Sequence, residues 1–127
     1  MSNWSRRHDA WIAEKCEGIK VAVVGVNYYQ MMRLGGWHGL VAIPHYLTDQ
    51  AACIRAAEAW RKKDPKHRSW EVDSPYFDGD DFEAIACDMN PAFTTRAEEE
   101  DPTFSAALAQ SLLLATGWTE PAGGGGE

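Results

Sequence analysis

Cysteine is scarce: Cys16, Cys53 and Cys87 are the only three in 127 residues, odd in number and far apart. That excludes a disulfide framework and any CxxC zinc or redox pair, and predicts reduced thiols on apolar faces. Long apolar runs are also missing. The most apolar segment, Val21–Val26, falls far short of the roughly 20 residues that a membrane-spanning helix needs. The polar opening Met-Ser-Asn-Trp-Ser-Arg-Arg-His-Asp lacks the apolar region of a secretory signal. A cytoplasmic protein with no membrane contact is expected. Positive charge is in deficit, with 12 Lys plus Arg against 19 Asp plus Glu, a formal charge of −7 and a pI near 5.0. Such a balance is repelled by nucleic-acid phosphates and anionic lipid, so neither is an expected partner.

What is present suits one globular domain: 45% hydrophobic and 24% charged residues in a length that supports a single core. The domain is expected over 1–120. The segment 121–127, with four consecutive glycines, has too few side chains to join a core and reads as a disordered tail.

Periodicity gives the elements. Trp4, Trp11, Ile12 and Cys16 share one side of a helix over Ser5–Glu17, ended by Gly18. The β-branched and aromatic run Ile19–Tyr29 predicts a strand, Gly35 and Gly36 a turn or irregular segment, and Gly39–Pro44 a second strand. Thr48 or Asp49 is the expected cap of a second helix, whose stripe Cys53, Ala56, Ala57, Trp60 stops before Pro65. Ser69–Asp73 and Phe82–Cys87 read as another hairpin around an Asp78-Gly79 turn. After the acidic run Glu98–Asp101, a third helix is expected from Pro102 with Asp101 as cap and Gly117 at its end. The fold class is therefore α+β, an antiparallel sheet of two hairpins with three helices, in the order α-β-β-α-β-β-α.

Catalytic patterns are absent. Val21–Gly25 lacks the further glycines of a dinucleotide loop, and no Gly-x-Ser-x-Gly elbow occurs. The four histidines never take metal-ligand spacing, and Asp78, Asp80 and Asp81 lack the remainder of a calcium loop. All three cysteines fall on predicted core faces, where a thiol is a poor nucleophile. No metal and no cofactor is expected, and the chain does not read as an enzyme. An enzyme reading would require His38 or His45 to meet a carboxylate in a cleft. The cations Arg61, Lys62, Lys63, Lys66 and Arg68 suit the negative end of the second helix.

Aromatic residues are abundant, with six Trp, four Tyr and four Phe. Trp11, Trp60 and Phe104 lie on helix core faces, whereas Trp37, Tyr46, Tyr76 and Phe93 fall in turns or beside prolines. Rings in such places can stack on a planar ligand while Arg33, His38 and Arg96 meet its phosphates. The same rings can instead anchor a protein interface or cover a sheet edge.

Three blocks resemble the phage ABA-sandwich domain, a family of small bacteriophage and prophage proteins. They are Asp9–Gly18, the proline-tyrosine-threonine-aspartate entry within Pro44–Ala52, and the alanine-rich Phe104–Gly117. The resemblance implies a sheet sandwiched with helices and a phage origin, and carries no catalytic residues. Small phage proteins of this kind include antagonists of host immunity that sequester nucleotide messengers. The first expectation is accordingly a non-catalytic homo-oligomer that captures a cyclic oligonucleotide or a cyclic ADP-ribose type of signal. Its expected site is Arg33, Trp37, His38, Tyr46, Thr48, Phe93 and Arg96, with helix-start amides near Thr48 on phosphate. The alternative is a protein-interaction module that binds a host or phage protein through loop aromatics and an acidic surface.

Overall fold

The structure, a computed structural model, describes residues 4–75 and 79–119. Its elements are α1 (Arg6–Lys15), β1 (Val21–Val24), β2 (Asn27–Leu34), β3 (Trp37–Ala42), α2 (Gln50–Lys63), β4 (Arg68–Asp73), β5 (Phe82–Asn90), β6 (Phe93–Asp101) and α3 (Phe104–Ala115). The α+β class, the three helices and the antiparallel pairing stand. Each hairpin gains a strand, so that two separate three-stranded sheets form, β1-β2-β3 and β4-β5-β6. No helix among the described residues is long and apolar enough to cross a membrane. The glycine-rich segment 121–127, Tyr76 and Asp78 lie outside the described residues.

The extra strand of the first sheet comes from a break inside the β-branched run. Val24 and Asn27 pair around Gly25-Val26, and Gly25 has φ +63°, as the first central residue of a type II′ turn requires. Leu34 and Trp37 pair around Gly35-Gly36, where both glycines take positive φ, the mark of a type I′ turn. Two minimal loops thus make a tight meander. The extra strand of the second sheet is β6, which contains the acidic run read from sequence as a connection. With Asp101 inside β6, the cap of α3 passes to Thr103, whose side chain accepts from the Ala106 amide at 3.2 Å. Asp101 instead receives the Gln110 amide group at 2.9 Å.

The helices pack as expected from their stripes. Asp49 caps α2 by accepting the Ala52 amide at 3.1 Å, and Cys53, Ala56, Ala57 and Trp60 are buried. The central element is α3, buried continuously from Ser105 to Leu113 because β5 and β6 pack on one side and α1 and α2 on others. Its alanines let those neighbours approach closely. Trp118 and Gly117 close it, their amides reaching the carbonyls of Leu113 and Leu114 with Gly117 at φ +92°. The core joins Ile12, Cys16, Tyr46, Trp60, Leu108 and Leu112 to Ala84 and Ala86 of β5. The first sheet reaches this core through Val21 of β1, and α1 is the helix in substantial contact with it.

Candidate functional site

Alternation along β5 divides the second sheet into two faces. Ala84 and Ala86 are buried beneath the helices, which sends Glu83, Ile85, Cys87 and Met89 to the opposite face. Register then fixes what stands beside them. Asp73, Glu83 and Glu100 are aligned directly across the three strands. In the next parallel row Glu71 and Glu98 flank Ile85, and beyond that Ser69 and Arg96 flank Cys87. The open face thus carries five carboxylates, and Arg96 is the one cation among its described residues.

The three-carboxylate row lines a cleft of about 500 Å³ completed by Ser74, Pro75, Gly79, Asp80 and Asp81. Like charges directly opposite each other in a sheet destabilise it. Desolvation, together with the fields of Glu98, Glu100 and Asp73, raises the Glu83 carboxyl above its usual range, and Arg96 only partly offsets this. Arg96 lies 3.5 Å from Glu98 and lines a smaller groove with Ser69, Trp70, Glu71, Ile85 and Cys87. Among the described residues no group of three or more His, Cys, Asp or Glu is placed to hold a metal ion. What the row suits chemically is a set of partner ammonium or guanidinium groups.

The seven residues expected to share a pocket fall in different parts of the molecule. Arg33 is exposed on β2, and positions 37 and 38 lie on β3, where His38 pairs with Arg33 and Trp37 with Leu34. Position 93 begins β6 in the other sheet, paired with Asn90, and Arg96 is on the acidic face. The side chains of Trp37, His38 and Phe93 lie outside the described residues. Tyr46 lies in the turn before α2, as expected, but its ring is not at the surface. It is fully buried, its amide donates to Asp9 at 3.1 Å, and its hydroxyl donates to Glu17. Thr48 is exposed in the turn before α2 and lines a 240 Å³ groove with Trp4, Ser5, Arg6, Asp9, His45 and Leu47.

That groove is a structural clip. Buried Asp9 accepts from the Trp4 indole at 3.0 Å, the Arg6 guanidinium at 2.7 Å and the Tyr46 amide. Arg6 also donates to the Ile43 and Pro44 carbonyls and lies 2.9 Å from His45 Nδ1. The His45 contact is therefore with a cation, where acid-base chemistry would need a carboxylate. The start of α2 is occupied by Asp49, a negative charge where a phosphate would have to sit.

The cysteine expectation needs one correction. Cys16 and Cys53 are buried, and desolvation pushes Cys16 up to about 12 and raises Cys53 further. Cys87 is only half-buried, because its odd position on β5 places it on the open face. Three of the five basic residues have local partners: Arg61 pairs with Glu58 at 3.0 Å, Arg68 with Asp88 at 2.9 Å, and Lys63 donates to the last-turn carbonyl of Lys15.

The acidic row escaped the sequence reading because residues 73, 83 and 100 become neighbours only through register. No protein-family model, curated protein or solved structure matches the chain.

Proposed function

We propose that this protein is a non-enzymatic interaction module that receives a lysine- or arginine-rich segment of another polypeptide on the open face of the β4-β5-β6 sheet. The observation that carries this reading is the Asp73–Glu83–Glu100 row. Three aligned carboxylates cost the folded chain stability, and Glu83 in particular is held where its charged form is disfavoured. A cationic partner removes that cost, whereas a solvated face has no reason to concentrate it in one row.

Capture of a nucleotide-derived signal draws less support. The 500 Å³ cleft is lined by Asp73, Asp80, Asp81, Glu83 and Glu100, which repel phosphates. Tyr46, placed in the core, presents no ring to a base.

The test is fluorescence anisotropy with a labelled arginine-lysine peptide. Replacing two face carboxylates, Glu98→Gln with Glu100→Gln, is expected to weaken binding about fivefold, since exposed ion pairs contribute roughly 0.2–1 kcal/mol each. The charge-matched control Glu14→Gln with Glu127→Gln should bind as the wild type does. Equal weakening by both pairs would reduce the effect to net charge and end the proposal.

A further inference from the structure

The edges of the two sheets are protected unequally. The orders β1-β2-β3 and β4-β5-β6 leave β1, β3, β4 and β6 with one ladder partner each. Proteins blunt such strands with charge, proline, shortness or cover, because a flat unprotected edge templates further pairing. β4 carries Arg68, Glu71 and Asp73, β6 carries Arg96 and the run Glu98–Asp101, and β1 is four residues long and in contact with α1. β3, Trp-His-Gly-Leu-Val-Ala, has no Lys, Arg, Asp, Glu or Pro, and among the described residues its substantial contacts are with β2 alone.

Register shows what this edge offers. The Met31 amide donates to the Lys20 carbonyl at 3.0 Å and so faces β1, which leaves Leu40, directly opposite Met31, without a ladder bond to it. His38, Leu40 and Ala42 therefore turn their backbone groups to the open edge, where the Gln30 side chain takes the Ala42 carbonyl at 3.2 Å. Leu40, 50% exposed, shares one face with Met31, Lys20 and Arg33. On the other face Gly39 leaves a gap beside Met32, itself 40% exposed.

We infer that β3 takes an extended segment of another polypeptide as a fourth strand, with a large apolar side chain over Gly39 and a carboxylate toward Arg33. Strand addition draws affinity from main-chain hydrogen bonds and specificity from alternate side chains. Both faces select the pattern. An aromatic ring opposite the glycine covers the gap and reaches Met32. From Gly18 to Thr48 the sequence contains Lys20 and Arg33 but no Asp or Glu, so this is the part of a −7 chain that suits an acidic partner. A second copy is a poorer occupant, since its own β3 brings a glycine and no carboxylate.

This inference concerns a different sheet from the basic-partner reading and does not depend on it. The probe is the acetylated, amidated peptide Thr-Val-Thr-Val-Tyr-Glu-Thr, whose Val, Tyr and Glu fall opposite Leu40, Gly39 and His38 in antiparallel register. Amide NMR of the labelled full chain should show saturable shifts along β3, and exchange of the His38, Leu40 and Ala42 amides should be fast in the free protein and slowed by the peptide. N-methylation of that Val and of the Glu removes two ladder donors and should weaken binding at least about tenfold. Replacing the peptide's Glu by Lys should weaken it about threefold. Leu40→Pro should abolish binding and leave the β2–β3 pairing protected, because the amide it removes faces away from β2. Equal binding of the N-methylated peptide overturns the inference, as do shifts centred outside β3 or no binding at all. So does a wild type that protects those three amides unaided and sediments at twice the 14.1 kDa chain mass, which would make a second copy the occupant.

Discussion

At the residue scale, two glutamates are driven in opposite directions by what surrounds them. Glu58 accepts from the Arg61 guanidinium and from the Trp70 indole at 2.8 Å, and these bonds hold its carboxyl at about 2, below the ordinary value near 4.5. Because its folded value is lowered, its stabilisation is complete above pH 4.5 and is lost as the pH falls toward 2. Glu83 is the reverse: with its folded value raised, its ionised form destabilises the fold at neutral pH, and acid relieves this. Thermal melts should show Glu83→Gln raising the Tm at pH 7, the gain closing as the pH falls below the carboxylate range. Glu58→Gln should lower the Tm at pH 7 and lose its effect in acid. A Glu83→Gln protein no more stable than wild type at pH 7 would contradict the reading of the row as strained by like charge. Asp9 supplies the other residue-scale test. Asp9→Ala leaves the buried Tyr46 amide, the Trp4 indole and Arg6 without their acceptor, and should cost about 3 kcal/mol in urea unfolding. A cost below about 1 kcal/mol would mean that water replaces the carboxylate.

At the element scale, β5 is the strand on which the assignment of faces depends. Its alternation buries Ala84 and Ala86 and turns Cys87 outward, so thiol labelling reads the alternation directly. One thiol, Cys87, should react in the native protein, and Cys16 and Cys53 should react only on unfolding. Two or more fast thiols would mean that the helices do not cover the core as described. The helices were the most legible elements: a 3.6-residue stripe and a cap such as Asp49 are local, and Gly117 marks its own positive φ. The strands were less so. Glu98–Asp101 has poor strand propensity and reads as a connection, yet pairing with β5 overrides that preference. The Gly25-Val26 turn hides in a β-branched run because a type II′ turn needs only one glycine. Tyr46, beside a proline, reads as a surface ring, but the Asp9 clip draws it into the core. One signal for the meander was available in the sequence, its 31 residues without a carboxylate from Gly18 to Thr48.

At the scale of the whole molecule, charge and apolar surface are segregated. The β4-β5-β6 sheet concentrates carboxylates on a face that no helix covers, and the β1-β2-β3 sheet concentrates exposed apolar side chains where carboxylates are absent. An amide NMR titration of the labelled protein with the arginine-lysine peptide shows whether that peptide docks on the acidic face. Shifts are expected at Glu71, Asp73, Glu83, Glu98 and Glu100, saturating with added peptide and suppressed by salt. Shifts concentrated instead around Arg6, His45 and Thr48, or spread evenly over the acidic residues of the whole chain, would contradict it.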